Sequence, residues 1–148
     1  MTQEYFKPGT RNASIFNTTA PYNNPHQGSA ARWLFVCSAG LLRSPTGATL
    51  AAQYGINARS CGSSFNYALI PCSANLIEWA DKIIFVNPYN KDQLELEYVA
   101  HYGLVDQICE KAIVLDIPDN YDYMDKELIT QFNSQLFDVY KPVTRRYS

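Results

Sequence analysis

The stretch Arg32-Trp33-Leu34-Phe35-Val36-Cys37-Ser38-Ala39-Gly40-Leu41-Leu42-Arg43-Ser44-Pro45-Thr46 decides the fold. A five-residue apolar run ends in a cysteine, five residues intervene, and an arginine is followed by Ser-Pro. The run Trp33 to Cys37 has strand length. Ser44 is an N-cap residue and Pro45 suits the first helical position, so a helix is predicted from Ser44 to about Tyr54, stopped by Gly55. Strand, tight loop and helix start are therefore compressed into one segment.

The chain around it follows the same alternation. Ile56 to Ser60 reads as a second strand, Ser73 to Ala80 as a helix with Leu76, Ile77 and Trp79 inward, and Lys82 to Val86 as a central strand buried on both faces. Asn87-Pro88 ends that strand. Asp92 to His101 is predicted helical with Leu96, Val99 and Ala100 as its apolar positions. Ala112 to Leu115 is the fourth strand, and Lys126 to Tyr140 a closing helix. Four strands alternating with four helices predict an α/β, small doubly wound three-layer fold around a four-stranded parallel sheet. Residues 1 to 31, rich in Asn, Thr, Pro and Gly, read as an irregular arm, and residues 32 to 148 as the folded domain.

The totals narrow the function. A chain of 148 residues, 47% apolar and 18% charged, fits one globular domain with a real core. A net charge of -2 gives no reason to expect nucleic acid. There is no apolar stretch of membrane-spanning length and no apolar core of a secretion signal, so a cytoplasmic protein with no membrane partner is expected, and the sequons at Asn12 and Asn17 carry no meaning. Four cysteines without C-x-x-C spacing and two distant histidines argue against zinc, and neither a metal nor a cofactor is called for.

The chemistry lies in the loop. A loop from a strand into a helix start turns backbone N–H groups into one concavity, where the helix dipole adds positive charge, so Ser38, Ala39, Gly40, Leu41, Leu42, Arg43 and Ser44 form a candidate phosphate-binding nest. Gly40 suits backbone conformations costly for residues with a Cβ. Arg43 offers a planar fork for two phosphoryl oxygens. A thiol at a helix N-terminus beside an arginine ionises more readily than a free one, so Cys37 is expected to be a thiolate nucleophile hydrogen-bonded by Ser44. The plain alternative makes Cys37 a small buried residue at a strand end and Arg43 a surface charge. A bare Cys-x5-Arg-[Ser/Thr] pattern is by itself only suggestive, whereas the preceding strand and the following Ser-Pro sharply reduce the odds of coincidence.

With those residues in view, Val36 to Pro45 resembles the signature loop of the low-molecular-weight protein tyrosine phosphatases. Leu115 to Asp125 resembles the acid-bearing loop of a compact bacterial and phage branch of that superfamily. The resemblance spans roughly Arg32 to Tyr140. It implies that Cys37 attacks the phosphoester through a cysteinyl-phosphate intermediate, that Arg43 and the loop amides hold the phosphoryl group, and that an aspartate protonates the leaving oxygen. Asp119 is the preferred acid and Asp116 the runner-up, since Asp116 directly ends a strand.

The loop departs from the family pattern at Gly40, where an asparagine is frequent, and at Leu42, where a second cysteine is. Tyr121 and Tyr123 are candidate walls for an aryl group, with Asn66, Tyr67 and Asn87 to Tyr89 as further rim. Cys61 and Cys72 read as buried inert thiols. The expected partner is a phosphotyrosyl protein or a small aryl or alkyl phosphate. Alternatives are a phosphatase of a small metabolite or nucleotide, an arsenate reductase with Cys109 as relay, and a non-catalytic phosphate-binding module. Nothing in the sequence specifies an oligomeric state.

Overall fold

The structure is a computed structural model that describes residues 30–40, 43–66 and 68–140. The arm 1–31 thus lies outside the described residues except for Ala30 and Ala31, as do Leu41, Leu42 and Tyr67 and the chain beyond residue 140. In chain order the elements are β1 (Arg32–Cys37), α1 (Arg43–Gln53), β2 (Asn57–Gly62), α2 (Ala74–Trp79), β3 (Lys82–Phe85), α3 (Pro88–Glu97), α4 (Tyr102–Lys111), β4 (Ala112–Val114) and α5 (Lys126–Phe132). A π-helical turn, Asn133–Phe137, continues α5.

The four strands form one parallel sheet in the order β2-β1-β3-β4. Strand alternation divides the core into two halves. Trp33, Phe35, Cys37 and Ile84 face one side, where Ala48, Leu50 and Ala51 of α1 and Leu128, Phe132, Leu136 and Phe137 of the C-terminal segment cover them. Leu34, Val36, Cys61, Ile83 and Phe85 face the other, under Leu76 and Ile77 of α2, Leu94 of α3 and Ile108 of α4. This is the expected doubly wound three-layer α/β architecture. Adjacent crossovers leave β1 in opposite directions across the sheet, so the order reverses next to β1, and the carboxyl end of β1 is the place where such folds bind ligands.

Three local expectations are corrected. The helix predicted from Asp92 begins at Pro88: Asn87 Oδ1 accepts the Tyr89 N–H at 3.0 Å, and Pro88 occupies the first turn. The same Asn-Pro that ends β3 starts α3. That helix stops at Glu97, and the separate helix α4 follows a short turn in which His101 N–H bonds Tyr98 O at 2.8 Å. The expected inward positions Leu96, Val99 and Ala100 are exposed, and Leu94 and Asn90 are buried instead. α4 went unpredicted because Gly103 weakens its first turn and it fully buries only Ile108. Finally, α1 begins at Arg43, so Ser44 sits inside its first turn rather than capping it.

Candidate active site

The loop leaving β1 turns sharply against the end of β2. Gly40 has φ +75°, and a Cβ there would stand 2.9 Å from the Cys61 carbonyl carbon and 3.0 Å from the Gly62 nitrogen. Gly62 is equally constrained, since a Cβ on it would meet Ser38 O at 2.6 Å. Two glycines therefore let one backbone lie on the other. Ser63 N–H donates to Cys37 O at 2.8 Å and Ser64 N–H to Ser38 O at 3.0 Å, which fixes the loop to the end of β2.

Among the described residues of that loop, two groups approach the Cys37 sulfur. The Gly40 N–H donates to Cys37 Sγ at 3.1 Å, and Ser44 Oγ lies 3.1 Å from the same sulfur. Ser44 Oγ is also 3.3 Å from Cys61 O, to which it can donate. A hydroxyl carries one proton, so when Cys37 is a thiol it gives its proton to Ser44 and Ser44 donates to Cys61 O; when Cys37 is a thiolate, Ser44 turns its proton to sulfur.

Arg43, at the start of α1, is 4% exposed, an unusual burial for a guanidinium. Nη1 donates to Ile117 O at 2.9 Å, and Nε stands 3.4 Å from Asp119 Oδ1, whose side chain is largely exposed. The segment past β4 reaches this position because Leu115 N–H and Ile117 N–H donate to Phe85 O and Val86 O at 2.8 and 2.9 Å, extending the pairing with β3. Farther along, Met124 N–H donates to Thr46 Oγ1 at 2.8 Å and binds the loop to α1.

A cavity of about 270 Å³ opens at this edge, lined by Ser38, Arg43, Asn87, Tyr89, Asn90 and Asp119. Asp119 is among these residues and Asp116 is not. The Asp116 backbone is clasped by Gln135, which accepts its N–H at 2.6 Å and donates to its carbonyl at 3.0 Å. Of the expected rim residues, Tyr121 packs against the α1 side of the core, the Tyr123 hydroxyl lies 3.0 Å from Thr49 Oγ1, and neither is among the described residues lining the cavity. Among the described residues, the aromatic side chain lining it is Tyr89, with Asn87 beside it, and Asn66 is absent from the lining.

The residue missed by sequence reasoning is Asn90. Its Nδ2 donates to Ser38 Oγ at 3.0 Å and to Ser63 Oγ at 3.2 Å. The available signal was Asn87-Pro88 as a helix start, which places Asn90 in the first turn after β3.

The other cysteines stand apart from this arrangement. Cys61 and Cys72 are fully buried on the opposite face of the sheet. Burial, reinforced by a hydrogen bond with Cys72, pushes the Cys61 thiol well above its ordinary range. Exposed Cys109 donates to Glu95 Oε2 at 3.0 Å, while Lys91 Nζ is 3.2 Å from the same oxygen. The carboxylate raises the Cys109 pKa, and the thiol hydrogen bond, aided by Lys91, lowers that of Glu95. Among the described residues no group of His, Cys, Asp and Glu is placed to hold a metal ion, and no helix is long and apolar enough to cross a membrane.

No family model and no curated protein matches the sequence. Solved structures do match its shape. A cysteine-to-serine mutant of the YwlE arginine phosphatase, carrying a phosphorylated active-site serine, aligns with a TM-score of 0.52 at 16% identity over 73% of this chain and 90% of that one. Wzb of Vibrio vulnificus, in complex with benzylphosphonate, gives 0.51 at 14% over 70% and 90%. The tyrosine phosphatase AmsI of Erwinia amylovora gives 0.51 at 15% over 76% and 89%. With its parallel sheet in the order β2-β1-β3-β4 and its helices on both faces, the chain has the fold of the low-molecular-weight protein tyrosine phosphatases.

Proposed function

We propose that the protein is a cysteine-dependent phosphomonoesterase, a protein tyrosine phosphatase by preference, working through a cysteinyl-phosphate intermediate. One observation carries this reading: the Cys37 sulfur receives the Gly40 N–H and faces the Ser44 hydroxyl, while the adjoining Arg43 reaches across to the carboxylate of Asp119 at the mouth of a cavity. In this reading Cys37 is the nucleophile, and Arg43 and Asp119, which line that cavity with Ser38, serve as oxyanion clamp and proton source.

In the proposed cycle the phosphoryl dianion sits over the loop with two oxygens on the Arg43 fork, displacing the contact between Arg43 and Asp119. The Cys37 thiolate attacks phosphorus, the bond to the ester oxygen breaks, and Asp119 gives that oxygen its proton. Asp119 then takes a proton from water as the water cleaves the S–P bond, releasing inorganic phosphate and restoring the thiolate. Ser44 stabilises the thiolate when it leaves. The YwlE mutant of like fold carries a phosphorylated active-site serine, which supports a covalent phosphoryl step in this reading. Asp119 is preferred to Asp116 because it lines the cavity beside Arg43.

The test is hydrolysis of an aryl phosphate in EDTA, with phosphotyrosyl, phosphoseryl and phosphoarginyl peptides and nucleotides run alongside. Cys37→Ser is expected to abolish turnover, and Asp119→Ala to slow kcat by roughly 10²–10⁴ with little change in binding. Undiminished hydrolysis by Cys37→Ser would sink the proposal.

A further inference from the structure

We infer that the Ser38 side chain is itself a ligand for the substrate's phosphoryl oxygens, and that Asn90 is the positioning residue that aims it. The inference rests on the phosphatase reading only in taking the ligand to be a tetrahedral oxyanion. The hydrogen-bond directions carry it. Ser63 Oγ donates its one proton to Gln93 Oε1 at 2.6 Å, so towards Asn90 it can only accept. The amide of Asn90 must therefore present its NH2, and both hydrogens are used, one on Ser63 Oγ and one on Ser38 Oγ. Ser38 Oγ thus accepts on one side, and its own proton has no acceptor among the described residues.

That proton belongs to a residue lining the cavity beside the Arg43 guanidinium, where an anion is the natural acceptor. The amide of Asn90 polarises the hydroxyl in the direction that strengthens such a donation. The arrangement also carries a stability cost. Asn90 is 1% exposed, and its Oδ1 has no hydrogen-bond partner. A buried acceptor left unpaired is unfavourable, which a purely structural residue at this position would avoid with an apolar side chain. Because Gly40 has no side chain with which to brace the loop from within, the brace comes from outside, from the first turn of α3.

The experiment measures inorganic phosphate binding by calorimetry, and kcat/KM for an aryl phosphate, in the wild-type protein, Ser38→Ala, Asn90→Leu and the double variant. Each single change is expected to weaken phosphate binding and lower kcat/KM roughly tenfold, as for loss of a hydrogen bond to a charged group. The double variant should be no worse than Ser38→Ala, since Asn90 acts through that hydroxyl. Leucine shares the branched outline of asparagine and removes the unpaired Oδ1, but it is larger and cannot donate to Ser63, so the melting temperature of Asn90→Leu is recorded beside its kinetics. Ser38→Ala, at a partly exposed position, tests the ligand role without depending on that fold. Wild-type phosphate affinity in Ser38→Ala, or losses that simply add in the double variant, would overturn the assignment. A protein that binds phosphate through Ser38 yet hydrolyses no ester overturns the phosphatase reading and leaves this inference standing; a hydrolase whose phosphate affinity ignores Ser38 does the reverse.

Discussion

At the scale of single residues, Gly40 bears the tightest constraint in the loop. Its φ of +75° is costly for any residue with a Cβ, by about 1–2 kcal/mol, and the added carbon would press on the backbone of Cys61 and Gly62 rather than on a side chain that could move. The same contact explains why an asparagine is absent here: the space for its Cβ is taken by the end of β2. Gly40→Ala is therefore expected to displace the N–H that serves the Cys37 sulfur, lowering kcat/KM by at least tenfold while the sheet remains folded. Steady-state kinetics and far-ultraviolet circular dichroism on the same sample check this, and unchanged kinetics would refute it. The positive φ could not be read from the residue type, because glycine is compatible with either sign; only the close approach of β2 fixes it.

At the scale of elements, α1 shows packing overriding propensity. Gly47 lies mid-helix, where alanine would ordinarily gain about 1 kcal/mol. Here a Cβ would run into the Phe35 ring, within 2.7 Å of Cε2, and stand 2.9 Å from Phe132 Cε1. Those two rings pack edge-on with centroids 5.9 Å apart, so neither can yield without opening the interface between β1 and α5. Overpacking of this kind costs about 1–3 kcal/mol. Gly47→Ala is expected to lower the urea midpoint despite the better helix former, and a raised midpoint would show that the interface relaxes. The elements also differ in how well their sequences announce them. β1 and β3 are apolar runs with clear ends, and α1 carries Ser-Pro at its start. α4 presents one fully buried residue and a glycine in its first turn, too little for a periodic signal.

At the scale of the whole molecule, one of the two layers flanking the sheet carries a group that ties stability to alkaline pH. Cys37 faces the α1 side, while the opposite layer holds Cys61, Cys72 and Tyr98. The Tyr98 hydroxyl donates to Cys72 O at 2.9 Å, and desolvation, aided by the neighbouring thiols and Glu97, pushes its pKa up to about 12. Between pH 10 and 12 the unfolded chain has lost this proton while the folded chain retains it. The unfolded state then binds fewer protons, so stability falls as pH rises through that window. Denaturation at pH 9, 10, 11 and 12 is expected to show a decline that Tyr98→Phe reduces, and an identical decline in the variant would contradict it.

What the sequence determined by itself is whatever depends on contiguous residues: the strand-loop-helix unit around Cys37, the parallel α/β class, and the pairing of a cysteine with an arginine six positions on, because each is a local matter of periodicity, capping and spacing. What only the tertiary structure decided depends on chains far apart in sequence meeting at the carboxyl edge of the sheet. Arg43 is held by Ile117, Asp119 lines the cavity and Asp116 does not, Tyr89 is the aromatic residue in its described lining, and Asn90 reaches Ser38 across 52 positions. A one-turn shift in the start of α3 is enough to place or remove Asn90, and helix starts are fixed by how the preceding strand ends against its neighbours as much as by the residues that mark them.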